Sequence, residues 1–191
     1  MSNEADKKLS QTARDARDFA LLVARAICRY PESVTIQVYE TPHRITLAPR
    51  CLAEDGGRII GSGGEVFRAF KRMVDLWARR AGTAQVVEMS SLKTPNGEQA
   101  ATTKFHEQVR WNVESWRETM GTIADALLGE HGATVQGDGP VVLTFWVRPD
   151  AMTENEARDV AAVLDTIGRA IAMTLGGEVA VDVGRRKEAL A

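Results

Sequence analysis

Cysteine is scarce in this 191-residue sequence: there are only Cys28 and Cys51, with no Cys-x-x-Cys pair, and the three histidines, His43, His106 and His131, are scattered. That spacing offers neither a zinc site nor a disulfide framework, so no metal and no cofactor is expected, and both thiols read as buried structural groups. Long apolar runs are missing too. Nothing approaches the roughly 18 apolar residues that a membrane span requires, and Met1-Ser2-Asn3-Glu4-Ala5-Asp6-Lys7-Lys8 lacks the apolar segment of a signal peptide. The expectation is a soluble cytoplasmic protein with no membrane partner. Charge of one sign is also lacking, since the net value is −2. Residues 1–90 hold 14 Lys/Arg against 11 Asp/Glu, and residues 91–191 hold 10 against 15. The first half is the more basic, but too weakly to mark a nucleic-acid binder unless a site focuses the charge.

What is present is a 44% hydrophobic chain long enough for one large domain or two small ones. Ala16, Phe19, Ala20, Val23, Ile27 and Tyr30 recur at helical spacing and predict an amphipathic helix over 12–30, stopped by Pro31. Val34, Ile36 and Val38 then alternate with polar residues, and Arg44–Ala48 alternates again after Glu40-Thr41-Pro42-His43, which predicts a hairpin. One or two helical turns follow from Arg50 to Asp55, ended by Gly56-Gly57. A longer helix comes after a second glycine cluster at 61–64, with Val66, Ala69, Phe70, Met73, Val74 and Trp77 as its buried stripe. Gly82 ends it before a strand over Ala84–Met89, giving the order α-β-β-α-α-β. Arg79 and Arg80 suit the negative end of that helix.

The polar stretch 91–104, with Pro95, Asn96 and Gly97, has no apolar period and reads as a linker. Beyond it a helix is expected from about Phe105 to Leu128. Strands over Ala133–Gln136 and Val141–Val147 follow, around the turn Gly137-Asp138-Gly139. A capping box at Thr153-Glu154-Asn155-Glu156 opens a helix to Leu175, closed by Gly176-Gly177 before a strand over Glu178–Val183. This α-β-β-α-β order repeats the first half without the short helix and glycine loop, because Arg148–Met152 has no room for them. A short basic tail, 185–191, ends the chain. Trp77 and Trp116 fall on buried stripes, whereas Trp111 and Trp146 fall off theirs and read as a protein contact, a homo-oligomer face or a base-stacking platform.

The run Gly57-Arg58-Ile59-Ile60-Gly61-Ser62-Gly63-Gly64-Glu65-Val66 resembles the G-x-[IV]-[IV]-G-x-x-G signature of KH (K-homology) domains. The element order over about 12–90 is similar to their type II, bacterial form, and small single-domain bacterial KH RNA-binding proteins look most alike. The resemblance implies an α+β fold, a three-stranded sheet with helices on one face. Residues 105–184 then read as a second, degenerate KH-like α-β-β-α-β domain. It also implies a non-catalytic protein that clamps single-stranded RNA, messenger RNA among the candidates, across Gly61-Ser62-Gly63-Gly64, with single-stranded DNA as an alternative ligand. Ile59 and Ile60 would floor the bases.

The plainer alternative for the cluster is a helix cap and a turn. No Walker motif is present, and Gly61, Gly63 and Val66 break the dinucleotide fingerprint, so no enzyme class is signalled. One departure matters. KH loops usually carry Lys or Arg at a middle position, where this chain has Ser62 and Gly63, then Glu65. Binding would fall to backbone N–H groups and to Arg58, Arg68, Lys71 and Arg72, unless those are only a solvated face. The alternative function is a KH-fold protein–protein adaptor or oligomerisation module.

Overall fold

The computed structural model describes residues 9–94, 112–136, 141–148, 150–173 and 178–185. Among the described residues the fold is mixed α+β, with two three-stranded sheets and five α-helices. Two compact units are distinguished, Met1–Ile59 with Val74–Gln108 and Ile60–Met73 with Val109–Ala191. The expected linker lies almost wholly outside the described residues, as do residues 105–111 with Trp111, the turn at 137–139, the Gly176-Gly177 stop and tail residues 186–191. The helix expected from about Phe105 opens instead at Val113, because Asn112 is extended and its side chain accepts the Ser115 N–H, capping the helix there.

In the first half, α1 (Gln11–Ile27) is opened by Ser10, whose hydroxyl accepts the Ala13 N–H at 3.1 Å. Its face of Ala13, Ala16, Phe19, Ala20, Val23 and Ile27 is buried. The helix ends at Ile27, short of the expected Tyr30, because Cys28 is extended and the Asp55 carboxylate takes the next two amides, Arg29 N–H at 2.9 Å and Tyr30 N–H at 3.1 Å. A residue before proline resists the helical region in any case. β1 (Thr35–Thr41) and β2 (Arg44–Arg50) form the expected antiparallel hairpin, with Val38 opposite Leu47.

The next helix departs from expectation. α2 (Ala53–Ile60) does not stop at Gly56-Gly57 but runs through both. Gly56 serves close packing rather than capping: it is buried, and a Cβ there would lie 3.0 Å from the Thr94 methyl. α3 (Glu65–Arg80) buries Val66, Phe70, Met73, Val74 and Ala78, and Trp77 stacks on Phe19 at 5.7 Å. β3 (Val86–Met89) pairs parallel to β2, giving the order β1-β2-β3.

In the second half, α4 (Val113–Leu128) buries Trp116, whose indole N–H donates to Gly168 O at 2.9 Å. β4 (Gly132–Gln136) pairs antiparallel with β5 (Val141–Val147), which pairs parallel with β6 (Val179–Arg185). The sheet order β4-β5-β6, with the same sense of pairing, repeats that of the first. α5 (Glu154–Ala172) starts at the expected capping box: Thr153 Oγ1 accepts Glu156 N–H at 3.2 Å, and Glu156 Oε2 accepts Thr153 N–H at 2.7 Å. No helix among the described residues is long and apolar enough to cross a membrane.

Candidate functional site: the glycine turn between α2 and α3

Residues Gly61–Gly64 form the joint between α2 and α3, and their backbone dictates their composition. Gly61, Gly63 and Gly64 have φ of 71°, 54° and 79°, a region that residues with a Cβ seldom enter. At Gly61 the reason is double, because a Cβ would also lie 2.4 Å from the Val66 Cγ2. Gly63 has nothing within 4 Å of its would-be Cβ, so its bareness leaves the tip open to whatever approaches. The turn closes on itself through Gly64 N–H to Gly61 O at 3.2 Å and Glu65 N–H to Ser62 O. The exposed tip is therefore Ser62 and Gly63.

The four basic residues expected to serve this turn are placed very differently. Arg68 folds back on it: Nη1 donates to Gly63 O at 2.6 Å and would lie 3.1 Å from a Cβ at Gly64. Lys71 lies with its ammonium 5.2 Å from the centre of the Phe67 ring. Arg72 carries a carboxylate partner already. Arg58 points inward, its Nε donating to Ile27 O at 2.9 Å, and burial holds its pKa below the usual guanidinium value. Arg58 thus clamps the end of α1 together with Asp55.

The two isoleucines also part company. Ile59 is wholly buried and belongs to the core, while Ile60 is 45% exposed beside the turn. Sequence periodicity could have separated them, since adjacent helical positions differ by about 100° and cannot share a face.

Trp146 is half-buried and engaged. Its ring lies across Gly184, where a Cβ would sit 2.2 Å from Cζ3, and its N–H donates to Thr134 Oγ1 at 3.0 Å. The indole covers β6 backbone and is not a bare stacking platform. The other notable feature of that half is a cleft of about 430 Å³ between α5 and β6, where Glu154 and Asp182 alternate with Arg158 and Arg185 and no single sign of charge converges.

Sequence reasoning missed Asp55, the buried carboxylate that organises the α1–α2 junction. An aspartate three residues before Arg58 and next to a glycine pair was the available signal. No family model matches the chain, and no curated protein matches it.

Proposed function

We propose that the chain is a non-catalytic RNA-binding protein whose first half is a type II KH domain, with single-stranded RNA lying across Gly61–Gly64. The second half, on this reading, is a KH-like copy without the glycine turn. The observation that carries the proposal is the turn itself: an exposed Ser62-Gly63 tip with bare backbone, beside a guanidinium held at its rim. Such a surface suits a sugar–phosphate backbone, which needs close approach, N–H donors and positive charge, and Ile60 offers an apolar contact beside it.

A second reading has an observation of its own. Arg58 is spent inside the fold and Arg72 on a carboxylate, so the turn has fewer cations than the sequence suggests, which favours a protein–protein adaptor. Fluorescence anisotropy with labelled single-stranded RNA and DNA of mixed sequence separates the two. The double change Ser62→Asp, Gly63→Asp is expected to abolish binding with the circular dichroism spectrum retained, because carboxylates at the tip repel phosphates. Ser62→Lys is expected to tighten binding and steepen the salt dependence by about 0.7 in log K against log salt. Equal behaviour of wild type and both folded variants would hand the site to the adaptor reading.

A further inference from the structure

β6 is the terminal strand of its sheet, paired with β5 along one side only. Glu178 O accepts Val141 N–H at 2.9 Å, so even-numbered backbone groups face β5. Successive residues of a strand alternate sides, and the N–H and C=O of Val179, Val181, Val183 and Arg185 therefore face away from the sheet. Such an outward row is a template for another strand. Two of its amides are taken by carboxylates. Val181 N–H donates to Oδ1 of Asp165, on α5, at 2.9 Å, and Arg169 Nε holds the other oxygen of that carboxylate, also at 2.9 Å. Val183 N–H donates to Oδ1 of Asp182, its neighbour in the strand, at 2.8 Å.

We propose that the outer edge of β6 is a strand-pairing surface for a second copy of this chain, kept closed by Asp165 and Asp182, which occupy the amides that the second strand would take. The cleft of about 430 Å³ between α5 and β6 gives that strand its place: it runs along Asp182, Val183 and Arg185, and its helix side is made by the small Ala157 and Ala161. Its charges name the occupant. Glu154 and Asp182 stand among Arg158 and Arg185, a mixture that is self-complementary under a two-fold axis and suits neither an acidic nor a basic partner. Because the odd-numbered residues carry the outward groups, odd must face odd. Antiparallel pairing centred on Val183 sets that residue opposite its copy and Val181 opposite Arg185 of the second copy, joining the two β4-β5-β6 sheets into one. The inference does not depend on the glycine turn or on RNA.

The test is size-exclusion chromatography with light scattering on the full chain, across a dilution series. Wild type is expected to run as a monomer. The double variant Asp165→Ala, Asp182→Ala is expected to form a dimer, associating at least about tenfold more tightly, as the freed amides of each copy gain strand partners. Asp165→Asn with Asp182→Asn keeps an acceptor oxygen at each amide and is expected to stay monomeric, which separates occupation of the amides from loss of charge. Adding Val183→Pro to the alanine pair removes the central N–H and is expected to restore the monomer. Hydrogen exchange locates the contact: protection of residues 179–185 in the alanine variant is expected to rise with protein concentration. A folded alanine variant that stays monomeric, asparagine variants that dimerise as readily, a dimer with no added protection over 179–185, or a wild-type dimer that Val183→Pro dissolves would each overturn the proposal. Should the double variant fail to fold, Asp182→Ala alone, a change at an exposed side chain, decides: a dimer through 179–185 supports the proposal and a monomer overturns it.

Discussion

Arg68 donates through Nη1 to the carbonyl oxygen of Gly63 at 2.6 Å. A turn that has no cation of its own thereby acquires one from the first helical turn of α3, because residues three to four positions into a helix reach back over its start. Arg58, the same residue type on the other side of the turn, donates instead to Ile27 O. One arginine lies against the turn and the other holds two helices together.

The two arginines should therefore fail differently. Arg68→Ala is expected to weaken RNA binding about tenfold, the worth of one charge-assisted contact, without moving the urea midpoint. Arg58→Ala is expected to cost about 1–3 kcal/mol of stability and to leave the affinity of the folded fraction nearly unchanged. Anisotropy titrations and urea melts on both variants check the pair, and a loss of affinity confined to Arg58→Ala would reverse the assignment.

The glycines of the turn should also separate. Gly61→Ala meets both a positive φ and the Val66 side chain at 2.4 Å, and is expected to destabilise by about 2–4 kcal/mol. Gly63→Ala has open space and only its φ of 54° to overcome, for about 1 kcal/mol. Chemical denaturation of the two single variants reads the difference directly; equal costs would mean that the Val66 contact relaxes freely.

Trp146 gives a third test, in the second half. Gly184→Ala is expected to lower stability by about 1–3 kcal/mol, since the new methyl would enter the indole ring, and Trp146→Leu in the same chain is expected to recover part of that loss. Trp146→Leu alone should leave RNA affinity as it is. A strong loss of binding in that variant would instead make the indole a base platform.

Acid should loosen both helix starts that carboxylates hold. Glu40 is kept below its ordinary value of 4.5 by hydrogen bonds from Ser10, and Glu156 by those from Thr153. For a carboxylate whose folded pKa is depressed, the stabilisation is present above the unfolded value and is lost as pH falls through the folded one. Melting temperature is expected to fall below pH 4.5, and less steeply in the Glu40→Gln, Glu156→Gln double variant. Parallel acid limbs for wild type and variant would remove these two groups from the account.

How much of this was readable beforehand follows from what each signal depends on. The box at Thr153 and Glu156 was legible because its partners are three residues apart and need no other part of the chain. The β1–β2 hairpin was legible from alternation alone. The stop expected at Gly56-Gly57 was wrong because a glycine pair reports only local preference, while α2 is held by contacts from Asp55 and Arg58 to the end of α1. The end of α1 was misplaced by three residues for the same reason: Asp55 supplies acceptors to two amides that the helix would otherwise have kept.

From its order alone, then, the chain determined two α/β halves, the hairpins, the amphipathic faces and a glycine run that only a tight joint between helices can use, since period and backbone preference are properties of neighbours in sequence. Only the tertiary structure decided which arginine lies against that joint, that Ile59 is core and Ile60 is not, and that Trp146 covers Gly184. Each of those depends on where a side chain ends after residues tens of positions apart have packed, and burial and hydrogen bonding across such separations leave no mark in local sequence.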